Sequence, residues 1–97
     1  LNYKLLAQRY KTPYGELDLV MLKDKEIVFV EVKARKKSYK LDTIITQKQI
    51  QRNYAAAEIF LSENPFYLNY PSRFDLIIIL DTIVAEHMVN ITPLAPY

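Results

Sequence analysis

Within these 97 residues, Asp18, Glu31 and Lys33 have the types and spacing that phosphate chemistry needs. Residues 16–22 alternate as a strand does, with Leu17, Leu19 and Met21 facing one way and Glu16, Asp18, Val20 and Leu22 the other. The polar loop Lys23-Asp24-Lys25-Glu26 separates them from the apolar run Ile27-Val28-Phe29-Val30. A symmetric hairpin there would pair Leu22 with Ile27, Val20 with Phe29, Asp18 with Glu31 and Glu16 with Lys33. A bulge could slide these pairs, but Asp18, Glu31 and Lys33 share a face unless it inserts an odd residue. Two carboxylates directly opposite cost roughly 0.2–1 kcal/mol at an exposed site. Hard oxygen ligands on adjacent strands offer a Mg²⁺ site that removes this cost. Lys33 projects beside them, where a scissile phosphate and an attacking water would lie. Taken as bare residues, the three equally fit a cross-strand charge cluster on a solvated sheet end.

Composition narrows the alternatives. Cysteine is absent, which removes a disulfide framework, a thiolate zinc site and a cysteine nucleophile. The single His argues against a His-based triad or a His-rich metal site. Gly15 is the only glycine, so Gly-rich nucleotide loops are missing. No apolar run is long enough to cross a bilayer, and no signal-peptide pattern is present. The absence of cysteine also fits a reducing compartment such as the cytoplasm. The net charge is only +2, yet residues 33–53 hold seven basic residues against Asp42 alone, leaving the remainder net negative. Such a stretch is a candidate phosphate-facing surface.

The positioning elements are those of one domain over residues 1–97. Strands are expected over 3–10, 16–22, 27–35 and 73–80, with a weaker edge strand over 83–91. Gly15 lets the chain turn into the second strand. Thr46 reads as a helix N-cap with Gln49 three residues on, and apolar Ile50, Tyr54, Ala57, Phe60 and Leu61 form the buried stripe. Asn64-Pro65 stops the helix. Three strands, a helix and further strands make an α/β fold, a mixed sheet with helix cover.

With these elements in order, the runs Gly15-Glu16-Leu17-Asp18-Leu19-Val20 and Val28-Phe29-Val30-Glu31-Val32-Lys33-Ala34-Arg35 resemble the signature of the YraN family of small bacterial proteins. Ile45-Thr46 with Lys48-Gln49, then Arg73-Phe74-Asp75, then Glu86-His87 with Asn90, extend the likeness over nearly the whole chain. That family resembles the PD-(D/E)XK, restriction-endonuclease-like nucleases. The resemblance implies a restriction-endonuclease-like mixed sheet lacking the usual N-terminal helix, with the core partly uncovered. Leu17 stands where the superfamily's leading Pro would precede Asp18.

The implied activity is metal-dependent hydrolysis of phosphodiesters in DNA rather than RNA, at branched or damaged structures. Asp18, Glu31 and the Val32 carbonyl would ligate Mg²⁺, for which Mn²⁺ could substitute, and Lys33 would orient the attacking water. Glu16 would be an auxiliary acid or a partner for Lys33. Arg35, Lys36, Lys37, Lys40, Lys48, Gln49 and Arg52 would line the nucleic-acid surface, although Gln49 is more simply the capping-box partner of Thr46. A homodimer through an exposed strand or apolar surface is expected. The competing reading is a catalytically silent domain that binds nucleic acid or protein. His87 reads as an ordinary polar residue, Tyr54 as core, and Asp75 as a local charge partner of Arg73.

Overall fold

The computed structural model describes residues 2–35 and 45–91. Five strands form one mixed sheet in the order β1 (Lys4–Thr12), β2 (Gly15–Lys23), β3 (Glu26–Arg35), β4 (Ser72–Leu80), β5 (Ile83–Met88). The first three strands form an antiparallel meander, and β5 pairs antiparallel with β4. β4 runs parallel to β3, and the crossover this demands carries helix α1 (Gln47–Glu63).

Local chemistry sets the turns. Asp24 and Lys25 both have positive φ, 51° and 66°, giving the two-residue turn whose twist matches a β-hairpin. At the β1–β2 hairpin, Gly15 has φ 139°, a conformation side chains rarely adopt. Thr46 caps α1 as expected, its Oγ1 accepting from Gln49 N at 3.1 Å. Asn64 ends the helix, its side chain donating to Phe60 O at 2.9 Å just before Pro65.

The core lies between α1 and one sheet face. Leu17, Val20, Ile27, Phe29 and Phe74 pack there against Ala56, Ala57 and Phe60. Phe29 stacks on Phe74 at 5.3 Å, and Tyr54 stacks on the same Phe74 at 5.1 Å. Tyr54 thus belongs to the core stripe, with its hydroxyl donating to Ile91 O at 2.8 Å. Residues 27–30 of β3 are all buried, the pattern of a central strand. On the opposite face Leu19, Met21, Val28, Val30 and Ile77 surround a cavity of about 260 Å³. Among the described residues, the one α-helix packs on the other face.

Three expectations need correction. Strict alternation in β2 fails, because Leu17 joins Val20 and Leu22 on the helix side while Leu19 and Met21 face away. The alternation therefore breaks near Asp18, opposite Arg9 with its φ of 49°, while β1 and β2 keep one register past this point and shift register between Leu5 and Ala7 instead. The first strand runs on through Thr12 rather than ending at Tyr10. The last strand stops at Met88 rather than Ile91, because Asn90 turns to φ 60° and gives its N–H to Asp75.

Candidate active site

The β2–β3 ladder runs from Lys23 and Glu26 to Leu19 and Val30, including the expected pairs Leu22–Ile27 and Val20–Phe29. There it stops. The pairs Asp18–Glu31 and Glu16–Lys33 are not formed: the ladder ends where the alternation of β2 breaks. Its side chain replaces the missing main-chain acceptor, Oδ2 taking the Val32 N–H at 2.8 Å. β3 keeps its ladder with β4 as far as Arg35 and Leu80, so the strand stays rigid while its other edge is released.

Glu31 and Lys33 share the helix-facing side of β3, as strand parity requires. Lys33 Nζ lies 3.1 Å from Glu31 Oε2. Two helix residues one turn apart complete the shell: Gln49 Nε2 donates to Oε2 at 3.1 Å, and Asn53 Nδ2 to Oε1 at 3.4 Å. Glu31 is only 7% exposed. Burial, then the charge of Asp18, raises its pKa above the ordinary value, and the hydrogen bonds and charge of Lys33 only partly oppose this. Asp18 and Glu31 together hold more negative charge than Lys33 neutralises.

The structure divides the remaining candidates. Glu16, Lys48, Gln49 and Arg52 line one cleft of about 340 Å³ with Glu31, between the β1–β2 hairpin and the start of α1. Glu16 does not pair with Lys33, whose partner is Glu31; in the β1–β2 register it stands opposite Lys11. The Gln49 side chain turns into the site, so only its backbone N–H serves the cap. Arg35 lies apart, its guanidinium bonded to Ala34 O and beside Ile79, Asp81 and Thr82. Lys36, Lys37 and Lys40 fall outside the described residues.

Asn53 is a site residue that the sequence reading passed over. Its signal was a polar side chain at a buried position, three residues after Ile50 and four before Ala57. A second polar centre sits across the sheet. Fully buried Asp75 receives Arg73 Nε at 3.0 Å and Nη2 at 3.2 Å, faces His87 Nε2 at 2.8 Å and accepts from Asn90 N at 3.0 Å. Arg73 also reaches Glu26 and the Tyr3 hydroxyl. Asp75 does partner Arg73 as expected, but it also reaches beyond its own strand to His87 and the Asn90 N–H.

Two carboxylates, a lysine and a strand edge released at the carboxyl end of a central strand can gather a hard cation or polarise a bound oxyanion. Among the described residues no cluster of three or more His, Cys, Asp or Glu could hold a metal, so any cation here rests on two carboxylates with other oxygens. Fold and site define a small α/β domain with an acidic–basic centre where its helix begins. Over residues 1–79 the chain matches the uncharacterised protein family UPF0102, and it belongs to that family, the YraN family.

Curated relatives agree. The chain is 43% identical over 87 residues to a UPF0102 protein of Rhodopseudomonas palustris (strain BisB5), covering 90% of this chain and 66% of that one. It is 37% identical over 89 residues to one of Nitrobacter winogradskyi, covering 92% and 75%. A relative from Bradyrhizobium is 34% identical over 88 residues, covering 91% and 65%. The chain thus spans about two thirds of the length of the curated relatives it matches. No helix among the described residues is long and apolar enough to cross a membrane.

Proposed function

We propose that this protein is a metal-dependent nuclease of the PD-(D/E)XK, restriction-endonuclease-like class that hydrolyses DNA phosphodiesters in the bacterial cytoplasm. One observation carries the reading: the Asp18 carboxylate is fixed on the Val32 N–H, between Glu31 and Lys33. A purely structural strand end needs no buried carboxylate with a raised proton affinity beside a second acid.

The donors suit a hard divalent cation. In an extended strand a residue's N–H and C=O leave on the same side, so the Val32 carbonyl shares the edge that Asp18 occupies. Asp18, Glu31 and that carbonyl would hold Mg²⁺ or Mn²⁺, leaving other positions to water, as Mg²⁺ favours. The bound ion would neutralise charge on the scissile phosphate and polarise water.

This chain's side chains supply the rest. Lys33, held by Glu31 at 3.1 Å, orients the attacking water and meets the charge developing on the phosphate. Gln49 and Asn53 fix the Glu31 carboxylate from the helix. Lys48 and Arg52 give the cleft sequence-independent affinity for the nucleic-acid backbone, and Glu16 is an auxiliary acid at its wall. The short β5 edge, with Ile83 and Val84 exposed, supplies the surface for a homodimer.

Incubation with linear, single-stranded and junction DNA plus Mg²⁺ or Mn²⁺ tests the assignment. Cleavage should disappear in Asp18→Asn and Lys33→Ala. No cleavage of any substrate, or equal cleavage by all three proteins, would sink it in favour of a silent binding domain.

A further inference from the structure

We infer that the cleft beside Glu31 receives an unpaired nucleotide, with Tyr14 as the stacking platform for its base. The inference rests on reading this cleft as nucleic-acid-binding and deepens it by naming the form of substrate. Tyr14 sits at the tip of the β1–β2 hairpin and is 53% exposed, a large aromatic ring that the core does not use. It lines the same cleft as Glu31, Lys48, Gln49 and Arg52.

The backbone beneath the ring is fixed. Thr12 Oγ1 accepts the Tyr14 N–H at 3.1 Å and donates to Gly15 O at 2.7 Å, while Pro13 restricts its own φ. The platform is therefore held in place before any ligand arrives. Across the cleft, Lys48 and Arg52 stand one helical turn apart, so two cations face the wall that carries the ring.

An exposed aromatic face beside spaced cations is the chemistry that grips single-stranded nucleic acid, the base stacking and the phosphates pairing with charge. In a closed duplex each base face is already covered by its neighbours. The matching ligand is thus a single strand, a flap or a frayed end, positioned with its phosphate toward Glu31 and Lys33.

Binding is measured by fluorescence anisotropy in chelator, where no cleavage occurs, using a labelled single-stranded oligodeoxynucleotide and a blunt hairpin duplex. Tyr14→Ala should weaken single-strand binding about tenfold, within the range of one stacked base, and leave duplex binding unchanged. Tyr14→Phe should restore it. An unchanged single-strand affinity in Tyr14→Ala, or equal losses for both probes, overturns the inference. Failure here with Asp18-dependent cleavage intact leaves the nuclease reading standing. Tyr14-dependent single-strand binding without any cleavage removes the nuclease reading and keeps this one.

Discussion

The Asp18 carboxylate accepts the Val32 N–H at 2.8 Å, standing in for a main-chain acceptor where the β2–β3 ladder ends. One side chain thereby closes the sheet and faces the candidate catalytic residues. The two roles separate by substitution. Asp18→Asn keeps an oxygen that can accept the N–H and should hold stability within about 1 kcal/mol of the parent, while Mg²⁺ binding is lost. Asp18→Ala orphans a part-buried donor and should cost about 1–3 kcal/mol as well. Urea unfolding and calorimetric Mg²⁺ titration read the two effects.

Glu31 carries the opposite tension. Its pKa is raised by burial first and by Asp18 second, so the folded chain holds this proton more tightly than the unfolded chain does. The associated stability is present at acid pH, below the ordinary 4.5, and is lost as pH rises through the raised value. Glu31→Gln removes this titration, so its stability relative to the parent should climb between acid and neutral pH. Thermal melts at a series of pH values in chelator would show the two curves diverging in that direction; a parallel pair would refute it.

Asp75 behaves the other way. Burial pushes its pKa up, but the hydrogen bonds of Arg73, Asn90 N–H and His87, with the Arg73 charge, outweigh burial and hold it below 3.8. Its contribution is present above 3.8 and disappears as pH falls through the lowered value. Asp75→Ala leaves Arg73 without its bidentate partner and should cost about 3–5 kcal/mol at neutral pH, measured by denaturant unfolding. A surface-sized loss would show the network to be slack.

Tyr10 offers a gain. Its ring packs edge-on against Phe60 at 5.1 Å, but its hydroxyl is the one buried side-chain polar atom without a partner among the described residues. Tyr10→Phe keeps the packing and removes the orphan, so it should stabilise the protein by about 1 kcal/mol. A fall in melting temperature would mean the hydroxyl is satisfied in solution.

By itself the sequence determined the order of elements and picked out the residues of the candidate site. Alternation and apolar runs placed all five strands, Thr46 and Asn64-Pro65 bounded the helix, and parity set Glu31 and Lys33 on one face. These are short-range consequences of backbone period and capping, written within a few residues of one another. Tertiary structure decided what the two carboxylates do. The break in alternation at Asp18 cannot be read from a strand's own pattern, because it is settled by how Leu17 and Val20 both reach the helix-side core. Only the crossover brought Gln49 and Asn53 onto Glu31, 18 and 22 residues away, and the cleft beside them took in Tyr14 from the first hairpin. Contacts at such separations depend on packing of the α1 face against the sheet. The fold turned an acidic pair expected to repel across a ladder into one carboxylate tied to the backbone and one buried beneath the helix.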